Sequence, residues 1–107
     1  MITVITKMTV RPEKHREFLQ TILALVDPSR RQSGCLSRDF YQDTCQEDSF
    51  VLLEEWESGK DLNRHLRSDW FHILLGTRNL LQDEAQMKVL SDSSLGRRSP
   101  LDSDADV

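Results

Sequence analysis

Hydrophobic and polar positions alternate along residues 2–10. Ile2, Val4, Met8 and Val10 share one face with Thr6 among them, and Thr3, Ile5, Lys7 and Thr9 share the other. A period of two over this length predicts a strand with one strongly apolar face. Arg11-Pro12 ends it, and Pro12 suits the first turn of a helix. The apolar spacing then becomes helical. Phe18, Leu19, Ile22, Leu23, Leu25 and Val26 form a wide stripe, while Lys14, Arg16, Glu17 and Gln20 fall on the polar side. This helix is expected to run to about Val26, where Asp27-Pro28 stops it. Residues 29–33 read as an irregular turn closed by Gly34.

Cys35 to Asp43 reads as a second strand, with Leu36 and Phe40 on one face and Cys35 and Tyr41 on the other. The polar stretch Thr44 to Asp48 makes it a hairpin with a third strand, Phe50 to Glu57. Phe50 and Leu52 lie on one side of this third strand, Val51 and Leu53 on the other. Ser58 with Asp61 resembles a capping box, opening a short helix on which Leu62, His65 and Leu66 share a face. Ser68-Asp69 caps another helix, whose apolar side is Trp70, Phe71, Leu74, Leu75 and Leu81. Glu84 to Leu90 is a last strand with Ala85, Met87 and Val89 on one face.

Strand, helix, strand, strand, helix pair, strand is the order of an α+β ferredoxin-like βαββαβ sandwich, with helices on one face of a four-stranded antiparallel sheet. A third strand apolar on both faces needs cover on both. Helices cover one side, and a second copy of the sheet is the candidate for the other, so a homodimer is expected. Residues 1–91 form one domain on this reading. From 92 to 107 the chain turns to Ser, Asp, Gly, Arg and Pro, a composition too polar to order itself.

Composition narrows the classes. The net charge is -4, and no basic stripe interleaves with aromatics, so nucleic acid is not the expected partner. No apolar run approaches the roughly 20 residues of a membrane span. The first residues lack the basic-then-apolar order of a signal peptide, which leaves the cytoplasm as the expected location. Cys35 and Cys45 sit ten positions apart along one extended segment. That is roughly 33 Å of strand, against the roughly 7 Å a disulfide tolerates. Neither has a CxxC partner, and no His/Cys cluster has metal-ligand spacing.

Ser33-Gly34-Cys35-Leu36, Tyr41-Gln42-Asp43, Glu54-Glu55-Trp56-Glu57-Ser58 and His65-Leu66-Arg67-Ser68 together resemble the antibiotic biosynthesis monooxygenase domain family, over about residues 1–90. The resemblance implies a dimeric α+β barrel with two sheets face to face and a small-molecule cavity between sheet and helices in each subunit. It also implies one of several activities: cofactor-free oxygenation of quinols, phenols and polycyclic aromatics, haem degradation, or isomerisation. The haem-degrading branch carries its ligating His where this chain has Leu75, and its first-strand Asn falls near Thr6. Leu75 cannot ligate iron, so haem is not expected; with no clustered His and Cys at ligand spacing a metal is not expected either, and the reading is cofactor-free.

Cofactor-free oxygenation needs a base near neutral pH, a dry cavity and donors for the substrate anion. His65 is the candidate base because its ordinary pKa is about 6.5. Glu54 could orient it or act itself. Trp56, Tyr41 and Phe71 are the candidate substrate-binding residues, Trp56 and Tyr41 because their rings can stack on or hydrogen-bond a flat substrate. Each has a structural alternative. His65 can tie helix to strand. Glu54 can pair with Arg64 or Arg67, or point into a dimer interface. Trp56 can be core. Three functions follow: an oxygenase using O₂, an isomerase or other proton-transfer enzyme in the same cavity, and a binding or stress-response protein without turnover.

Overall fold

A computed structural model describes residues 1–91. The elements in order are β1 (Ile2–Thr9), a 3₁₀ turn (Pro12–Lys14), α1 (His15–Ser29), β2 (Cys35–Gln42), β3 (Ser49–Trp56), α2 (Gly59–Leu66), α3 (Asp69–Gly76), a second 3₁₀ turn (Thr77–Leu80) and β4 (Gln86–Ser91). All pairings are antiparallel and the strand order is β2-β3-β1-β4. This is the ferredoxin-like α+β sandwich, with the helices on one face. The expected tail, 92–107, lies outside the described residues.

The inward face of β1 is the one its alternation marks: Val4, Thr6, Met8 and Val10 are all buried. Met8 and Val10 join Phe18, Ile22 and Val26 of α1 and Phe50 and Leu52 of β3 in the larger core cluster. Phe40 stacks on Phe50 at 5.1 Å between ring centroids. Val4, Trp56 and Leu62 make a second, smaller cluster. Between Leu52 and Trp56 on β3 the inward position is Glu54, so a charged residue sits between two apolar clusters.

α3 ends at Gly76, so Leu81 lies beyond it, after the second 3₁₀ turn. Four further local expectations differ from the structure. First, α1 does not stop at Val26. Pro28 lies within its last turn, where the N–H it lacks would have bonded the carbonyl of solvent-exposed Ala24. The Ser29 hydroxyl donates to Val26 O at 2.8 Å, which ties down that turn. Second, Leu23 is 63% exposed, on the outer flank of the stripe. Third, the pairing register slips between Cys35 and Ser37. Parity reverses at that bulge. Cys35 turns inward against the Val4–Trp56–Leu62 cluster, and Leu36 is exposed. Fourth, β4 begins at Gln86 rather than Glu84, and Met87 and Val89 on this edge strand are 44% and 54% exposed.

The caps follow the sequence. Ser58 Oγ accepts from Asp61 N at 3.3 Å and donates to Asp61 Oδ2 at 2.7 Å. Ser68 Oγ accepts from Phe71 N. Gly34 has φ +83°, the left-handed conformation its place between helix and strand requires. Cys35 and Cys45 are both free. His15 Nδ1 meets Asp48 Oδ1 at 2.8 Å, tying the start of α1 to the β2–β3 loop.

Candidate functional site

The hairpin register sets Arg38 of β2 opposite Glu54 of β3, both facing the helices. Arg38 Nη1 donates to Glu54 Oε2 at 2.6 Å and to His65 Nε2 at 2.9 Å. One nitrogen thus spends its two hydrogens on two partners. Guanidinium can only donate, so His65 Nε2 is the bare, accepting nitrogen. The proton then lies on Nδ1, which donates to Gln32 Oε1 at 3.0 Å. Gln32 Nε2 in turn donates to Ser29 O at 3.1 Å, which fixes the amide orientation that this tautomer needs. Trp56 Nε1 donates to Glu54 Oε2 at 3.3 Å, and its indole stacks on the imidazole at 4.6 Å.

Arg38, Glu54 and His65 are each at most 3% exposed. Burial lowers the His65 pKa to about 4, and the Arg38 charge adds to the effect, so the imidazole is neutral at physiological pH. Burial also raises the Glu54 pKa, opposed by Arg38 and by the Trp56 and Arg38 hydrogen bonds. The 2.6 Å contact keeps Arg38 and Glu54 an ion pair. The expected partners of Glu54 are elsewhere: Arg64 pairs with Asp61 at 3.2 Å, and Arg67 is exposed. Cys35, half-buried nearby, has its thiol pKa raised by burial.

Beside this network an apolar cleft of about 70 Å³ opens between α3 with its following turn and strands β1 and β4. Thr6, Met8, Phe71, Leu75 and Met87 are among its walls. Phe71 links the two regions. It lines the cleft, and its ring stands edge-on to His65 at 5.7 Å and 68°. Thr6 Oγ1 is buried in the cleft wall without a hydrogen-bond partner among the described residues. Haem does not fit here: the space is too small, Leu75 offers no ligating atom and no histidine lines the cleft.

Of the residues singled out from sequence, His65, Glu54 and Trp56 come together in the buried network, and Phe71 borders both network and cleft. Trp56 is fully buried and does not line the cleft. Tyr41 is not brought to them. It pairs with Val51 on the opposite face of the sheet and is 53% exposed. Arg38, Gln32 and Thr6 were not recognised from sequence. A hairpin counted back from Gln42 opposite Phe50 would have set Arg38 against Glu54.

Residues 1–73 match the antibiotic biosynthesis monooxygenase family. The chain belongs to that family. A protein of Synechocystis sp., sll1783, is 32% identical over 89 residues, which is 82% of this chain and 60% of its own length. This chain therefore spans less than two thirds of that relative. PA3566 from Pseudomonas aeruginosa shares the fold with a TM-score of 0.76 at 31% identity, over 83% of this chain and 90% of that one. An antibiotic biosynthesis monooxygenase crystal structure superposes with a TM-score of 0.80 at 23% identity, over 85% and 97% of the two chains, a likeness of fold.

Proposed function

We propose that this member of the antibiotic biosynthesis monooxygenase family is a cofactor-independent monooxygenase of a small quinol, phenol or polycyclic aromatic. The observation that carries the reading is an apolar cleft bordered by Phe71, whose other side touches a buried, neutral imidazole. In the proposed reaction a quinol and O₂ give a hydroxylated quinone and water. One oxygen atom enters the ring, and the other leaves as water with two hydrogens. The protein's part is to remove the quinol proton, hold the electron-rich anion and exclude bulk water.

His65 is the proposed base and Glu54 its electrostatic partner, 3.6 Å from Nε2. An imidazole titrating near 4 takes a quinol proton uphill, so the anion must be stabilised as it forms. Arg38 is the cation beside Nε2. For Nε2 to receive the proton, Arg38 has to release it and the Phe71 ring has to turn aside. Phe71 is the proposed substrate contact, and Trp56 holds Glu54 and the imidazole in place. The working unit is proposed to be a homodimer through the open sheet face, in the cytoplasm.

A second reading, binding without turnover, is favoured by one observation: both ring nitrogens of His65 already have partners within the protein. O₂ uptake on a panel of quinols, with product masses, separates the two. The oxygenase reading expects uptake and a mass gain matching one oxygen less two hydrogens. His65→Gln should lower turnover about 10²–10⁴-fold with the fold intact. Quinol binding with no uptake leaves the binding protein, and full activity in His65→Gln removes His65 from the mechanism.

A further inference from the structure

Thr6 is the polar exception on the inward face of β1, between Val4 and Met8. It is 3% exposed, and its hydroxyl has no partner among the described residues. A threonine in a helix can bond a carbonyl in the preceding turn. Here that escape is closed. β1 is an inner strand, with Thr6 paired to Leu52 on one side and Met87 on the other, and among the described residues no carbonyl stands in hydrogen-bonding position for Oγ1. A water at this hydroxyl would need two to four polar partners, and the cleft is lined by apolar side chains apart from Arg78 and from Thr77, whose hydroxyl already donates to Leu74 O. An unpaired buried hydroxyl costs stability that valine, of the same shape, would not.

We infer that the Thr6 hydroxyl is the polar anchor of the cleft, and that the cleft takes a single-ring, oxygen-bearing molecule such as a phenol or monocyclic quinol. The inference rests on the proposed function for the cleft's role and narrows its substrate class. The size follows from the space. About 70 Å³ is half of the roughly 150 Å³ of an apolar cavity that takes benzene. One ring therefore enters with an edge outside, past Leu75 and Met87, which are 41% and 44% exposed. A fused tricycle would leave most of its apolar surface in water. The ligand's oxygen meets Thr6 Oγ1, and its ring meets Phe71 and the methionines.

Phenol and toluene have nearly the same shape and differ in the hydroxyl, so they are the probes. Binding is measured anaerobically by NMR on the full chain, with hydroquinone and anthrone as the one-ring and three-ring comparison. Wild type should prefer phenol to toluene, and hydroquinone to anthrone. Thr6→Val should reduce the phenol preference by roughly 2- to 12-fold while keeping toluene binding, and should raise the melting temperature of the free protein by a few degrees. Thr6→Ser should retain the preference. An unchanged phenol-to-toluene ratio in Thr6→Val overturns the anchor, as does a lower melting temperature, which would mean the hydroxyl is already paired. No binding of phenol by wild type also overturns it, and tighter binding of anthrone than hydroquinone overturns the single-ring assignment. The two proposals fail separately. Thr6-dependent phenol binding without O₂ uptake sinks only the oxygenase, and quinol turnover with unchanged discrimination in Thr6→Val sinks only the anchor.

Discussion

Arg38 holds two buried groups at once, and its removal strands both. Glu54 would be left a buried carboxylate with only the indole N–H, and His65 Nε2 would lose its donor. Breaking a buried pair this way costs about 3–5 kcal/mol, so Arg38→Met should lose about that in urea denaturation at pH 7. Adding Glu54→Gln should recover a large part of the loss, because the stranded charge is gone. A double variant no more stable than the single would show that the two residues are not coupled. His65 adds a pH dependence. Its folded pKa, about 4, lies below its ordinary 6.5. Between these values the unfolded chain binds the proton and the folded one does not, so stability is full above about pH 6.5 and falls toward pH 4. Glu54, with a raised pKa, works in the opposite sense as pH falls, so the contribution of His65 is read as a difference. The loss of stability from pH 7 to pH 5 should be larger in wild type than in His65→Gln. Equal losses would place the imidazole's titration elsewhere.

Gly34 shows how one element positions another. Its φ of +83° starts β2, and a Cβ built there would lie 2.1 Å from Asp61 Cγ. Asp61 is itself held by Ser58 and Arg64 at the first turn of α2. Gly34→Ala should therefore cost more than the about 1 kcal/mol of backbone strain alone. Asp61→Ala in the same chain should return the excess but not the strain, as compared by denaturation midpoints. Elements of this kind were legible in the sequence. The caps at Ser58 and Ser68, the turn at Gly34 and the inward face of β1 are local chemistry, readable from neighbours in the chain. The bulge at Cys35–Ser37 was not, because it exists only relative to β3, and without it Cys35 is assigned to the wrong face. Pro28 inside α1 was missed for a related reason. A proline in a last turn forfeits one bond, which packing of Val26 and Ser29 outweighs. At the site, His65 and Glu54 were visible as titratable groups on apolar faces. Arg38 was hidden because a lone arginine in a strand reads as exposed until the register gives it a buried acid.

On the scale of the molecule, the face of the sheet away from the helices remains half covered. Val51 and Leu53 are only partly buried there, with Ile5 beside them and Lys7 and Lys88 around a hollow of about 310 Å³. If this face meets a second copy, the contact should bury on the order of 2,000 Å². Sedimentation at micromolar concentration should give a dimer, and Val51→Asp, which sets a charge at its centre, should give monomers. Wild type sedimenting as a monomer would sink the proposal. The strand order has a consequence in time. β1 is bordered by β3 on one side and β4 on the other, and both follow it in the chain by dozens of residues. A ribosome therefore releases β1 long before either neighbour exists. Its backbone stays unzipped on one side until Gln86–Ser91 emerges, and Thr6 acquires its second ladder at that moment. A nascent chain arrested ahead of β4 should carry an open central strand, a ready template for chaperones or for misassembly with a sister chain.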